Sequence, residues 1–90
     1  MTDRRIVVVE GAFTLRGKGA LVEPRFTVEK AVAGAFPVRL RLPNGEDRHT
    51  SARLEVSHVQ GPGKSIFAML RLTELSPDDV PVGTEIWSTE

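Results

Sequence analysis

The chain reads as an all-β protein on three observations. Valine is the commonest apolar residue, at 11 of 90. Glycine and proline contribute 14 residues, spaced like punctuation between short apolar runs. Within those runs apolar and polar side chains alternate with period two, the mark of a half-buried strand. Six such runs predict one domain over residues 1–90, a small closed six-stranded antiparallel β-barrel with one short helical turn. Closure would leave no exposed sheet edge.

The first run, Arg5 to Arg16, alternates in its second half: Phe13 and Leu15 point one way, Thr14 and Arg16 the other. Gly11 inside it predicts a bulge. Gly17-Lys18-Gly19 makes a tight turn into a second run, Ala20 to Lys30. Pro24 lacks a backbone N–H, so it confines part of that run to an edge or a bulge. Val38, Leu40 and Leu42 then alternate with Arg39 and Arg41, one face buried and the other cationic. Asn44-Gly45 suits the type I′ turn of a hairpin. The return strand sets Ala52, Leu54 and Val56 against Ser51, Arg53, Glu55 and Ser57, and Gly61-Pro62-Gly63 breaks it. Ile66 to Leu72 is apolar on both faces apart from Arg71, which predicts a strand covered on both sides. Ser76, Pro77 and Asp79 form a near capping box for one helical turn, ended by Val80-Pro81. Gly83 turns into a last strand, Thr84 to Ser88, with Ile86 and Trp87 on opposite faces.

Basic and acidic side chains both number 12, and the formal charge of zero excludes a polybasic nucleic-acid coat or an acidic tail as the global description. The zero is divided: residues 1–45 carry a net +4 and residues 46–90 a net −4. One reading is a basic face offered to an anionic partner. The favoured one is local cancellation, because barrel strands mix sequence halves. Without cysteine there is no disulfide framework, zinc–thiolate site or cysteine nucleophile. The apolar run Ile6 to Val9 is far shorter than the about 7–15 residues of a signal core. No stretch approaches the ~20 apolar residues of a membrane span, so a cytoplasmic protein is expected, without a membrane partner.

No motif carries catalysis. Gly63-Lys64-Ser65 imitates the end of a phosphate loop, but His58 stands where the first glycine is needed and a strand follows instead of a helix. His49, His58 and Glu55 make no closed zinc set. Ser57 and His58 are strand neighbours and face opposite ways. Asp78-Asp79 is accounted for by capping. No catalytic, cofactor or metal residue is assigned, and no enzyme is expected. The candidate partner-binding rim is Arg16, Gly17, Lys18, Gly19, Arg25 and Phe26, three cations and an aromatic that could hold phosphate and stack a base; the alternative is a solvated barrel rim. Arg39 and Arg41 read as the wet face of the sheet. Val7, Val9 and Phe67, if turned outward, would favour a homodimer. Cyclic-diguanylate-binding PilZ barrels end a strand with Asp-x-Ser-x-x-Gly. Glu55-Val56-Ser57 is similar, but Gln60 replaces the glycine and no Arg-x-x-x-Arg arm is present.

The stretch from Val9-Glu10-Gly11-Ala12-Phe13-Thr14-Leu15 through Gly17-Lys18-Gly19 to Val22 resembles the opening of the second domain of translational GTPases such as elongation factor Tu. Ala68-Met69-Leu70-Arg71-Leu72, Leu75, Asp78-Asp79-Val80 and Val82-Gly83-Thr84-Glu85-Ile86-Trp87 are similar to that family's leucine-rich strand, acidic turn and final strand. The resemblance runs from about residue 6 to residue 88, with Ala20 and Pro24 where the family often has threonine and glycine. It implies a freestanding barrel that acts as a non-catalytic binding module, with a protein or a second copy of itself as partner. The alternative it implies is an RNA- or tRNA-contacting accessory of translation. No DNA partner is expected.

Overall fold

The computed structural model describes residues 4–15, 18–28, 34–58 and 66–89. Among these residues it is all-β apart from one 3₁₀ turn. Seven strands follow one another: β1 (Arg4–Val8), β2 (Gly11–Leu15), β3 (Lys18–Val28), β4 (Phe36–Arg41), β5 (Asp47–His58), β6 (Ile66–Leu72) and β7 (Glu85–Ser88), with the 3₁₀ turn Pro77–Asp79 between β6 and β7. They form a single antiparallel sheet in the order β1-β7-β4-β5-β6-β3-β2. The sheet curls into a half-barrel and is not the closed six-stranded barrel that the sequence predicts.

The correction begins in the first run. Arg5 to Arg16 is two strands, because the chain changes partner at Val9-Glu10. Before that corner it pairs with β7, and after it with β3. Backbone hydrogen bonds tie the corner to both sides: Val9 N–H donates to the Thr84 carbonyl at 2.8 Å, Gly83 N–H to the Val9 carbonyl at 2.9 Å, and Glu10 N–H to the Glu23 carbonyl at 2.8 Å. The two ends of the sheet meet at one peptide without pairing along their length.

Further bends lie in the registers. The β1–β7 ladder shifts between Arg5 and Val7, the β2–β3 ladder between Phe13 and Leu15, and the β3–β6 ladder between Val22 and Phe26. The last shift contains Pro24, as a residue without an N–H requires. Gly11 does not carry a bulge; it pairs with Glu23, whose carboxylate oxygen would lie 2.9 Å from an added Cβ.

The β4–β5 hairpin is corrected in detail. Gly45 N–H donates to the Leu42 carbonyl at 2.9 Å, which puts Pro43 and Asn44 at the centre of the turn. Proline fixes a negative φ there, so a type I′ turn is excluded. Gly45 follows at φ 92°, and Leu42 N–H closes the loop on the Glu46 carbonyl at 2.8 Å. This is the three-residue connection with a left-handed glycine, steadied by Glu46 N–H donating to Asn44 Oδ1.

Alternation puts one face of the sheet inward. Val38, Leu40, Ala52, Ala68, Leu70, Leu72, Ala20, Val22 and Ile86 are fully buried. Val7 and Val9 join them and do not turn outward. β6 is covered on one face only: Ala68, Leu70 and Leu72 are buried, while Phe67, Met69 and Arg71 are half-buried on the other. The 3₁₀ turn sits where the capping residues predict, and Val80 beyond it packs into the core.

Candidate functional site

With the inner face filled, the side chains free for a partner are those on the outer face. One part of it spans the neighbouring strands β1, β7, β4 and β5. Arg5 stands opposite Trp87, Trp87 opposite Arg39, and Arg39 opposite His49. Paired positions share a face, and neighbouring strands lie about 4.8 Å apart. These four side chains therefore make one row across four strands. A second row beside it holds Val8, Glu85, Arg41 and Asp47.

The centre of the first row is fixed. The Arg39 guanidinium carbon lies 5.6 Å from the centroid of the Trp87 ring, within cation–π range. Trp87 Nε1 donates to Glu85 Oε1 at 3.0 Å, and Asp47 lies 3.6 Å from Arg39 on the other side. Although it faces outward, the Arg39 side chain is only 21% exposed. Arg5, Arg41, His49 and Val8 around it are exposed.

Of the sequence-derived rim, the structure describes Gly19, Arg25 and Phe26, and it does not bring these three together. Arg16 and Gly17 fall outside the described residues, as does the side chain of Lys18. Gly19 is bound to its role in packing: its φ is 62°, and a Cβ there would meet the Leu72 carbonyl oxygen at 2.6 Å. Arg25 lies six residues further along β3, a separation of about 20 Å in an extended strand. It turns outward, with its guanidinium 5.9 Å from the Phe67 ring centroid. Phe26, its neighbour, packs inward against the core, so the cation and the aromatic face opposite sides of the sheet. Phe67 is indeed on the outer face, half-buried beneath Arg25.

The two sequence halves interleave in the strand order, with β7 between β1 and β4. Arg39 meets Asp47 across the halves, while Arg48, 3.9 Å from Asp79, and Arg71, bonded to Glu55, are paired within the second half. Asp79 is drawn below the ordinary carboxylate range by the Ser76 N–H, which donates to its Oδ2 at 3.0 Å, then by the Ser76 hydroxyl, with Arg48 adding to both. Among the described residues no group of three histidine, aspartate or glutamate side chains is placed to hold a metal ion. Gly63-Lys64-Ser65 and the side chains of Ser57 and His58 fall outside the described residues. No described helix is long and apolar enough to cross a membrane.

Sequence reasoning missed the Arg5–Trp87–Arg39–His49 row. The alternation put Arg39 and Trp87 on outward faces, but nothing local says that β7 lies between β1 and β4. Comparison with protein-family models, with curated proteins and with solved structures gave no match.

Proposed function

We propose that the chain is a non-catalytic binding module for a protein partner, in keeping with its resemblance to the second domain of translational GTPases. The observation that carries the reading is the fixed Arg39–Trp87 pair on the outer face, ringed by exposed Arg5, Arg41, His49 and Val8. Aromatic and arginine side chains held in place lose little freedom on binding and are the residue types that dominate protein interfaces. Trp87 is not needed by the core, which the opposite face of the sheet fills.

The alternative, RNA contact, calls for cations gathered along a groove. Carboxylates set against Arg39, Arg48 and Arg71 weigh toward a protein. The test is affinity capture from nuclease-treated native lysate, with the wild-type chain and a Val8→Asp/Arg41→Ser variant as baits. The expected result is a stoichiometric protein held by the wild type and lost by the variant. Recovery of RNA alone from untreated lysate, or equal capture by both baits, overturns the reading.

A further inference from the structure

Resting on that protein-binding reading, the geometry points to an acidic peptide segment as the ligand of the β1-β7-β4-β5 outer face, seated against Arg39 and Trp87. The argument is charge complementarity. Both carboxylates of the face are already engaged, Glu85 by the Trp87 N–H and Asp47 by Arg39. Arg5, Arg41 and His49 form no ion pair among the described residues and are exposed. The face thus sets Arg5 and Arg41, with His49, around one fixed guanidinium, and its three arginines outnumber the two carboxylates, Glu85 and Asp47.

Its size sets the ligand. From β1 to β5 the row crosses three strand spacings, about 14 Å, the length of four to five extended residues. That span suits a short segment carrying two or three aspartates or glutamates. A guanidinium fixed in plane on an indole is prepared for a bidentate carboxylate, since its orientation is settled before binding. Val8, 38% exposed beside Arg5 and Glu85, gives the segment one apolar contact. A polyphosphate backbone has no apolar group to place on Val8.

Trp87 is the only tryptophan and the chain has no tyrosine, so intrinsic emission reports on this face alone. The full chain is titrated with a capped octapeptide of alternating glutamate and leucine. Controls are the lysine–leucine octapeptide and an octamer of uridylate at the same salt. The expected result is a saturable change in Trp87 emission with the acidic peptide only, weakening several-fold between about 0.05 and 0.5 M salt. Arg39→Gln is expected to lower affinity about tenfold and Arg5→Gln or Arg41→Gln about threefold each. Arg53→Gln, exposed on the other part of the sheet, should leave it unchanged. Should Arg39→Gln melt without a cooperative transition, the Arg5→Gln/Arg41→Gln double variant carries the same test, because both side chains are exposed.

No saturable change with the acidic peptide overturns the inference. So does tighter binding of the lysine–leucine peptide or of the uridylate octamer. If the capture experiment yields a stoichiometric protein while the acidic peptide leaves Trp87 unaffected, only the acidic ligand is lost and the protein-binding reading stands. If both experiments fail, both are lost.

Discussion

The two parts of the sheet that share β5 are built differently. In β1-β7-β4-β5, the pairings on either side of β4 run without a break and only the marginal β1–β7 ladder is shifted, so outward side chains line up in rows. In β5-β6-β3-β2, both pairings of β3 are shifted, and the outer face holds Phe13, Leu21, Met69 and Phe67 beside its charged side chains. Leu21 is buried even though it lies outside the main core cluster. Regular register makes a surface on which side chains from distant segments can be placed side by side. Bulged register makes curvature, and spends its outer side chains on covering the bend. One part is suited to presenting a site, the other to shaping the sheet around a core.

That division can be broken most forcefully through the core. Leu40 from the regular part and Leu70 from the bulged part are both fully buried. Each change to alanine should cost about 3 kcal/mol, measured by denaturant unfolding. Both variants should unfold in a single transition. Two transitions, or a cost confined to one variant, would mean that the parts are separate cooperative units.

Glycines sharpen the contrast next. Gly19 and Gly45 both have positive φ, but a Cβ at Gly19 would strike the backbone of β6, whereas nothing lies within 4 Å at Gly45. Gly19→Ala should cost at least about 2 kcal/mol and Gly45→Ala about 1 kcal/mol, the latter being the left-handed strain alone. Equal melting temperatures for the two variants would show that close packing of β3 on β6 does not hold the bulged part together.

A smaller effect is expected on the outer faces. Arg39→Ala removes a guanidinium stacked on Trp87 and should cost about 1 kcal/mol, with a change in Trp87 emission in the unliganded chain. Arg53→Ala, exposed on the bulged part, should lie within about 0.5 kcal/mol of wild type.

The smallest effect belongs to Asp79. Its folded-state carboxyl titrates below the unfolded value, so its contribution is present above the unfolded pKa of about 3.9 and is lost as pH falls through the folded one. Asp79→Asn should therefore lower the melting temperature slightly at pH 7 and by a vanishing amount near pH 2. An effect as large at pH 2 as at pH 7 would assign the loss to something other than the carboxylate.

What could be read from the sequence follows the range of each signal. Alternation in Val38–Leu42 and in Ala52–Val56 assigned inward and outward faces correctly, as did Ile86 beside Trp87, because strand periodicity is local. Pro24 announced the irregular stretch of β3 for the same reason. The hairpin misled, since Asn-Gly is a strong type I′ signal that Pro43 overrides by pre-setting the preceding φ. The first run misled more deeply. A continuous apolar pattern cannot show that its two ends hydrogen-bond to different strands, and that exchange separates a curled seven-stranded sheet from a six-stranded barrel. The rim pairing of Arg25 with Phe26 shows a related cause. Arg25 and Phe26 are adjacent in sequence yet on opposite faces, while Arg39 and Trp87, 48 positions apart, touch.

The Val9-Glu10 corner also bears on how copies of the chain could entangle. β1 pairs with β7 alone, a peripheral strand of the kind that exchanges between molecules in domain swapping. This corner is its hinge toward β2. The hinge is latched on both sides, by Thr84 and Gly83 to one neighbour and by Glu23 to the other. For β1 to leave its own sheet and dock on another copy, those bonds must open first, in a segment where Val9 is almost wholly buried. The corner therefore works as a lock on the arm, and loosening it would make the chain a candidate for strand exchange.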